Sequence, residues 1–347
     1  MKAKKYIAII CIITIAISVL SGCGNYGSKG QVADKTHSVV DMSGRTVEVP
    51  DSISRYVVLW VGAVDFAIMF DHGEHMVGCS DTAASYTYFE TACKNYDNLI
   101  LFNKNAITVE GVLQTEADVV FYRGSDHSEL AEQLSAAGIS AIDVEFNDYE
   151  ELIAAMQIMA DVFGTEYAAN QCANYRKYVE ESIAEASKIA SSVSEKRSAL
   201  VIRDTSDLRA YGANRFAGRW VTLCGGKYAL NEGDPDGYVN LTKEQLLSYD
   251  PDVLVFIIPG EAAKFKNDPQ WSSLSAVSNN CVYENPSIIG TWSNHGAEFV
   301  LQFWWAIDIL YPELVNYETC SIVKDFYRTF FDLTLDDKEI LQVIQRD

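Results

Sequence analysis

Positive charge is scarce in this chain of 347 residues, which contains 27 lysines and arginines against 48 aspartates and glutamates. The formal net charge of −21 excludes nucleic acid as a partner, because like charges repel. Histidine is equally rare, and five residues are too few for a carrier that holds zinc or manganese through several imidazole ligands. The sequence also has no Gly-x-Ser-x-Gly elbow, His-Glu-x-x-His pair, Walker loop or dinucleotide glycine fingerprint. These absences argue against an enzyme.

Long apolar runs are missing after residue 22, so no later segment reaches the ~20 residues that span a bilayer. Residues 6–19 are apolar, follow three lysines and end at Leu20-Ser21-Gly22-Cys23. This is the anatomy of a secretory signal, and we expect residues 1–22 to be removed, which leaves a formal charge of −24. The last four residues resemble the bacterial lipoprotein signal. That resemblance implies an extracytoplasmic protein held to the membrane by lipid on Cys23; an ordinary signal with an incidental cysteine is the alternative.

Cysteine pairs with Cys-x-x-Cys spacing are absent, which excludes the common zinc motifs. Six of the eight cysteines lie beyond Cys23, and Cys79 with Cys93 is the first pair to test for a disulfide in an exported chain. Small buried thiols are an equally good interpretation.

The remaining chain is long enough for two domains. We expect a flexible tether at residues 23–37, an N-terminal lobe at 38–147, a bridging helical region at 148–194 and a C-terminal lobe with a helical tail at 195–347. Each lobe shows short apolar strands alternating with amphipathic helices, which predicts an α/β fold with mainly parallel sheets. The apolar stripe of the bridging region breaks at Gly164 and then continues to residue 186. A helix of that length, at ~1.5 Å per residue, predicts a rigid connection between two lobes.

Four segments lie in the order found in one known family. They are residues 39–50, a hairpin pattern Val-Val-Asp-Met-Ser-Gly-Arg-Thr-Val-Glu-Val-Pro; residues 109–113 before 117–120; residues 241–247 before 251–255; and Leu310-Tyr311-Pro312-Glu313. With them the chain resembles the solute-binding lipoproteins of ABC importers for iron siderophores, haem and vitamin B12. The resemblance implies two lobes joined by one rigid helix, no catalysis and no cofactor.

Glu110 and Glu244 each open an amphipathic segment just before a strand, once in each half of the chain. The resemblance implies that they dock onto arginines of the permease dimer, one per lobe, a pairing that gives orientation and association rate more than affinity. Acids favoured at a helix N-terminus by the dipole are the alternative.

Ligands of open α/β sheets bind where loops leave the carboxyl ends of the strands. Aromatic faces with a few guanidinium groups fit a planar, partly anionic ligand. We therefore expect ligand contacts from the following residues: Trp60, Tyr86, Tyr122, Arg123, Arg209, Tyr211, Arg215, Trp292 and His295. No metal site is expected, although His295 is a candidate axial ligand if the ligand is haem.

The sequence thus predicts a monomeric, lipid-anchored binding protein that captures a ferric siderophore or haem and delivers it to an ABC permease. A corrinoid-binding component is the alternative within the same class. A secreted hydrolase or a sensor on the same fold is the alternative from a different class.

Overall fold

Short strands alternate with helices along the chain. The computed structural model describes residues 35–230, 236–292, 296–314 and 319–345. The expected signal segment, Cys23 and His295 lie outside these residues. The strands are β1 (Thr36–Val40), β2 (Thr46–Pro50), β3 (Tyr56–Val58), β4 (Met76–Ser80), β5 (Ile100–Phe102), β6 (Val119–Tyr122), β7 (Ser140–Asp143), β8 (Ser198–Ile202), β9 (Arg209–Tyr211), β10 (Lys227–Tyr228), β11 (Tyr238–Asn240), β12 (Val253–Phe256) and β13 (Val282–Glu284).

The α-helices are α1 (Val64–Asp71), α2 (Phe89–Ala92), α3 (Val109–Leu113), α4 (Gly124–Ala136), α5 (Tyr149–Phe163), α6 (Glu166–Ser192), α7 (Phe216–Leu223), α8 (Lys243–Tyr249), α9 (Glu261–Asn267), α10 (Ser275–Ser278), α11 (Phe299–Leu310), α12 (Thr319–Phe331) and α13 (Asp337–Ile344). Short 3₁₀ turns occur at Val61–Ala63, Ala83–Ser85, Tyr96–Asn98, Pro269–Trp271 and Pro312–Leu314. The described residues form one compact unit.

The predicted hairpin at residues 39–50 is confirmed, because β1 and β2 pair antiparallel with Val40 opposite Thr46. Gly44 adopts a φ of +76°, a conformation that glycine takes without steric cost. The carboxylate of Asp41 accepts the backbone N–H of Arg45 at 2.9 Å and closes the turn. The hairpin is tied to β7 by the hydrogen bond from Met42 N to Asp143 O.

The first sheet has the strand order β5-β4-β3-β6-β7, and all its strand pairs are parallel. Strands β3, β4 and β6 are buried along their whole length, as expected for a parallel sheet that is covered on both faces. Side chains of successive residues point to opposite faces, so Phe121 joins the main core while Tyr122 joins a smaller apolar cluster on the other face. We call this sheet and its helices the first lobe.

Two helices follow the first lobe. Helix α5 begins after Asp148, whose side chain accepts the N–H of Glu151, and ends at Gly164 with a φ of +61°. Helix α6 has 27 residues, a length of about 40 Å, and begins after Thr165, whose hydroxyl accepts the N–H of Ala168. The predicted break at Gly164 is confirmed. Because α6 packs against both α1 and α11, it spans from the first lobe to the second.

The second sheet has the order β11-β9-β8-β12-β13, with β10 also pairing with β8. Strands β10 and β12 are parallel to β8 and β13 is parallel to β12, whereas β9 is antiparallel to β8. Strand β11 is antiparallel to β9 and therefore runs in the direction of β8. We call this sheet with α7–α13 the second lobe. The domain bounds predicted from the sequence remain a prediction.

Cys79, Cys93, Cys172, Cys224 and Cys281 of the described part of the chain are free thiols. Burial raises the pKa of Cys79 to about 12 and that of Cys93 to about 11, so neither is a reactive thiolate near neutral pH. No helix within the described residues combines the length and the apolar character that crossing a membrane requires.

Candidate ligand-binding site

The carboxyl edges of the two sheets face each other. The loop after β4 meets the segment after β13 through the hydrogen bond from Tyr88 N to Ile288 O, 3.2 Å. At the opposite end, Phe146 after β7 lies 6.4 Å, ring to ring, from Phe216 at the start of α7. We call the space between these edges the groove. Its position agrees with the general rule that ligands bind outside the carboxyl ends of parallel strands.

Three guanidinium groups gather around two tyrosines on the second lobe. Arg203 follows β8 directly, Arg209 begins β9 and Arg215 precedes α7. Tyr211 and Tyr238 face each other across the β9–β11 pair, with ring centroids 5.1 Å apart. The guanidinium carbons of Arg215 and Arg209 lie 4.3 Å and 5.3 Å from the centre of the Tyr238 ring. We call Arg203, Arg209 and Arg215 the arginine cluster.

The cluster brings three guanidinium groups together on a strongly acidic protein, with aspartates beside them. Burial and the neighbouring Tyr238 raise the pKa of Tyr211 to about 12, while all three arginines oppose that rise. Arg203 pairs with Asp204 at 3.0 Å and Arg209 with Asp207 at 3.7 Å. Arg215 donates to the backbone oxygen of Asp236 and has no carboxylate within 4 Å among the described residues.

A cavity of about 170 Å³ opens beside Arg215. Its lining combines one cation, one carboxylate and two amide groups with aromatic surface, from Asn147, Tyr211, Asn214, Arg215, Phe216, Ala217 and Asp236. Asn147 belongs to the first lobe and the others to the second, so this cavity lies between the lobes. Its size admits a compact group, such as one carboxylate arm of a larger ligand.

The first lobe contributes Trp60 and Arg123 on the other side of the groove. The guanidinium carbon of Arg123 lies 5.5 Å from the centre of the Trp60 ring. Arg123 is already paired, with Glu145 at 3.1 Å and Asp126 at 3.5 Å. Trp60 is 7% exposed and packs 4.6 Å from the ring of Phe146. The first lobe thus contributes Arg123, whose charge is neutralised by two carboxylates, and the ring edge of Trp60.

The other expected contacts lie elsewhere. Tyr86 is partly buried in the loop after β4, and burial raises its pKa, with the Glu298 and Asp65 carboxylates adding to the effect. Tyr122 is buried in the smaller apolar cluster, its ring 5.6 Å from the Arg45 guanidinium, because the pleat turns it away from Phe121. Trp292 is completely buried and donates its indole N–H to the Tyr327 hydroxyl at 3.0 Å. The structure therefore places Tyr122 and Trp292 in the core instead of at the groove surface.

Glu110 and Glu244 are both exposed in the first turn of a short helix. Thr108 caps α3 by accepting the N–H of Gly111, and Thr242 caps α8 by accepting the N–H of Gln245. Helix α3 follows the carboxyl end of β5, and α8 follows the carboxyl end of β11, which runs in the direction of β8. Both glutamates therefore lie at the groove edge of their own lobe.

Three groove residues escaped the sequence interpretation. Arg203 stands one residue past a buried strand, a position that the carboxyl-end rule also selects. Tyr238 is 43% exposed, an unusual value for a large ring beside two guanidiniums. Arg219 lies one helical turn after Arg215, with its guanidinium 5.3 Å from the ring centre of Tyr149. Only the tertiary pairing of β9 with β11 identifies Tyr238.

The arrangement can bind but has no evident catalytic machinery. No group of three or more His, Cys, Asp or Glu side chains that could hold a metal ion occurs in the described part of the chain. What the groove combines is guanidinium groups, tyrosine rings and backbone at strand ends. Such a surface recognises oxyanions and carboxylates by charge-assisted hydrogen bonds.

Comparison with known proteins identifies related chains. The sequence model of a family described as periplasmic binding protein matches residues 70–289. An uncharacterized ABC transporter substrate-binding lipoprotein, YvrC of Bacillus subtilis, is 23% identical over 82% of this chain and 92% of its own. The molybdate-binding protein MolA of Haemophilus influenzae is 23% identical over 84% and 90%. The Fe(3+)-citrate-binding protein YfmC of B. subtilis is 23% identical over 81% and 90%.

A solved structure shows the same fold. The periplasmic solute binding protein from Veillonella parvula superposes with a TM-score of 0.80 at 21% identity, covering 90% of this chain and 97% of that one. The expected α/β architecture of two lobes joined by a long helix is confirmed by this similarity and by the sheets and helix described above.

Proposed function

Because this chain belongs to the periplasmic binding protein family, we propose that it captures an anionic iron complex outside the cytoplasm and passes it to an ABC permease. Membership of this family makes the chain a substrate-binding protein of an ABC transporter and not an enzyme. The identity of its ligand is our proposal. The proposal of an anionic ligand rests on the arginine cluster, three guanidinium groups gathered at the groove of a chain whose net charge is −21.

Anionic chemistry is also common to two named relatives. One is named for molybdate, an oxyanion, and one for ferric citrate, a carboxylate chelate. A ferric siderophore with carboxylate or phenolate groups, or haem with its propionates, presents the same groups to guanidinium. A corrinoid presents mainly amides and gains less from three arginines. The cluster therefore favours the iron complex over the corrinoid alternative.

The ligand would bind unevenly across the groove. Arg215, the cation without a carboxylate partner among the described residues, would pair with an anionic group of the ligand. Tyr211 and Tyr238 offer rings for stacking, and Trp60 borders the groove from the first lobe. If the ligand is haem, His295 remains the proposed axial ligand. Arg123 and Arg209 are already paired with carboxylates, so each would contribute less charge to the ligand than Arg215.

A titration tests the ligand. The soluble chain from Ser28 onward is titrated with ferric citrate, a ferric siderophore, haem, cobalamin and molybdate, following tryptophan fluorescence and visible absorbance. We expect an iron complex to bind. We expect Arg215→Ala to weaken binding about 10- to 100-fold, which corresponds to the ~1.5–3 kcal/mol of a hydrogen bond to a charged group.

Arg328→Ala is the matched control, since Arg328 is an exposed arginine on α12 that pairs only with Asp325. Equal affinity of the Arg215→Ala variant and the control would contradict the proposed site. Binding of cobalamin or molybdate alone would contradict the proposed ligand. A Soret shift that His295→Ala abolishes would select haem.

Delivery would depend on Glu110 and Glu244. Both are exposed, both lie at a groove edge, and each is the acid of a Thr-x-Glu helix start in its own lobe. The double variant Glu110→Ala with Glu244→Ala should abolish import while leaving ligand affinity unchanged. Glu132→Ala, an exposed glutamate of α4, is the control and should import normally. Normal import by the double variant would contradict the proposal that Glu110 and Glu244 dock onto the permease.

The anchor completes the proposed function. Lipid on Cys23, as in relatives named lipoproteins, would hold a monomer close to its permease. A tether raises the effective concentration at the membrane, so that docking through two glutamates can stay weak and reversible.

A further inference from the structure

Two buried carboxyl groups meet where the lobes join. Asp65 belongs to α1 of the first lobe and is 3% exposed. Glu298 directly precedes α11 of the second lobe and is completely buried. Neither belongs to the arginine cluster or to the proposed docking surface. Buried acids are costly unless their oxygens are hydrogen-bonded, so their contacts indicate what they hold.

Backbone N–H groups surround both acids. One oxygen of Asp65 accepts the N–H of Ala297 at 2.5 Å, a contact between residues 232 positions apart. Glu298 accepts the N–H of Ile289 at 3.0 Å and also that of Gly290. The Tyr327 hydroxyl of α12 donates to Glu298 as well. Asp65 therefore holds the end of the loop between β13 and α11 from the first lobe. Glu298, the last residue of that loop, holds its middle within the second lobe.

Glycines make this close approach possible. A Cβ on Gly296 would stand 2.2 Å from a carboxylate oxygen of Asp65, and one on Gly290 would stand 2.9 Å from a carboxylate oxygen of Glu298. Gly296 also has a φ of +121°, which other residues rarely adopt. The backbone at the end and in the middle of the loop thus packs directly onto the carboxyl groups.

The bridging helix joins the same cluster. Tyr175 of α6 donates its hydroxyl to the backbone oxygen of Ala297 at 2.6 Å. The titratable side chains that face the two acids are Tyr86 from the loop after β4, Tyr175 from α6 and Tyr327 from α12. No lysine, arginine or histidine of the described residues forms an ion pair with either acid.

Without a cation, burial controls the protonation of the pair. Burial raises the pKa of Asp65 from 3.8 to about 7, against the opposing effect of its backbone hydrogen bonds. Burial raises the pKa of Glu298 from 4.5 to about 8; the nearby Asp65 charge adds to this and the Tyr327 hydroxyl opposes it. Near neutral pH the pair thus holds about one proton, which limits the repulsion between two buried anions.

We propose that Asp65 and Glu298 are positioning residues for ligand capture: Asp65 fixes the loop at the carboxyl end of β13 to the first lobe, Glu298 fixes the same loop within the second lobe, and their protonation makes the groove geometry depend on pH. The proposal rests on the proposed role as a ligand-binding protein. When both acids ionise at alkaline pH, the lobe contact loosens. Ligand affinity then falls, although neither acid touches the ligand.

Amide exchange and affinity test the proposal in the purified protein. Hydrogen exchange at Ile289, Gly290 and Ala297 is measured without ligand, and ferric citrate is titrated between pH 6 and pH 9. Asp65→Asn and Glu298→Gln are compared with Glu132→Gln, which removes one exposed charge. Because Asn and Gln stay uncharged, we expect the protection of these amides to fall with rising pH in the control and to fall less in the two variants, after correction for the intrinsic pH dependence of exchange. We also expect the affinity of the control to fall about tenfold relative to the two variants across this pH range.

Tyr327→Phe guards against variants that fail to fold, since it removes one hydroxyl. That hydroxyl lowers the pKa of Glu298, so its loss should move the midpoint of the affinity change to higher pH. A purely structural role would leave this midpoint in place. Unchanged exchange at the three amides, or a constant affinity ratio across pH, would overturn the proposal. If ferric citrate does not bind the unmodified protein, the proposed ligand fails, and the exchange rates alone decide whether the acids hold the loop.

Discussion

The protein should lose stability as the pH rises from 5.5 to 8, the reverse of ordinary acid denaturation. Asp65 and Glu298 have pKa values of 3.8 and 4.5 when unperturbed, and folding raises them to about 7 and about 8. Between those limits the folded protein holds protons that the unfolded chain releases. The free energy of unfolding therefore falls with increasing pH, because the native state binds more protons.

The magnitude follows from the size of the shifts. A rise of about three pKa units corresponds to about 4 kcal/mol for each group across the whole interval. Two protons give a slope of up to about 2.7 kcal/mol per pH unit between pH 5.5 and pH 6.5. His72 and His127 act in the opposite direction, since burial lowers their pKa values and stability that depends on them is gained as the pH rises. Comparison with variants separates the two effects.

Urea unfolding followed by tryptophan fluorescence at pH 5.5, 6.5 and 8 measures the slope. Glu298→Gln and Asp65→Asn should each remove about half of it, even though each variant is less stable overall through a lost hydrogen bond. Glu132→Gln, an exposed charge on α4, should keep the full slope and controls for net charge. A slope that is equal in the unmodified protein and in Glu298→Gln would refute the reasoning. So would a free energy of unfolding that increases between pH 5.5 and pH 6.5.

Two further predictions concern the lobes. Asp118→Ala and Asp252→Ala should each lower the free energy of unfolding in urea by about 1–3 kcal/mol. Asp118 accepts hydrogen bonds from Ser54 just before β3, and Asp252 accepts equivalent bonds from Ser198 at the start of β8. No loss of stability in either variant would contradict the equivalence of the two strand starts. X-ray scattering profiles with and without saturating ferric citrate should nearly superpose, since α6 and the hydrogen bond between Asp65 and Ala297 both join the lobes. A large contraction would contradict this.

Local patterns predicted most of the fold. The hairpin, the break at Gly164 and strand β6 follow from turn chemistry, a left-handed glycine and a continuous apolar run. The short edge strand β5 was missed, because Ile100 and Leu101 are exposed and show no buried face. Each of these patterns depends on only a few neighbouring residues, so the local structure can be predicted from the sequence alone.

The site was less predictable for a physical reason. Trp292 lies in a loop at the correct end of a strand, yet its indole N–H is held by Tyr327 from a later helix. Asp65 sits in an apolar helix, and its partner Ala297 follows 232 residues later. Side-chain direction and long-range partners decide both cases, and neither is encoded in spacing. The sequence pattern therefore predicts the position of the groove better than it predicts which side chains line the groove.

The two lobes repeat their framework but not their groove chemistry. Each lobe ties the start of its central strand to an aspartate and presents one exposed glutamate from a threonine-capped helix. In contrast, Arg123 of the first lobe is neutralised by two acids, whereas Arg215 of the second has no carboxylate partner among the described residues. A symmetric framework suits docking to a permease dimer. An asymmetric groove suits the proposed anionic ligand, which would bind first to the second lobe. The first lobe would then close little around it, because Asp65 and α6 connect it to the second lobe.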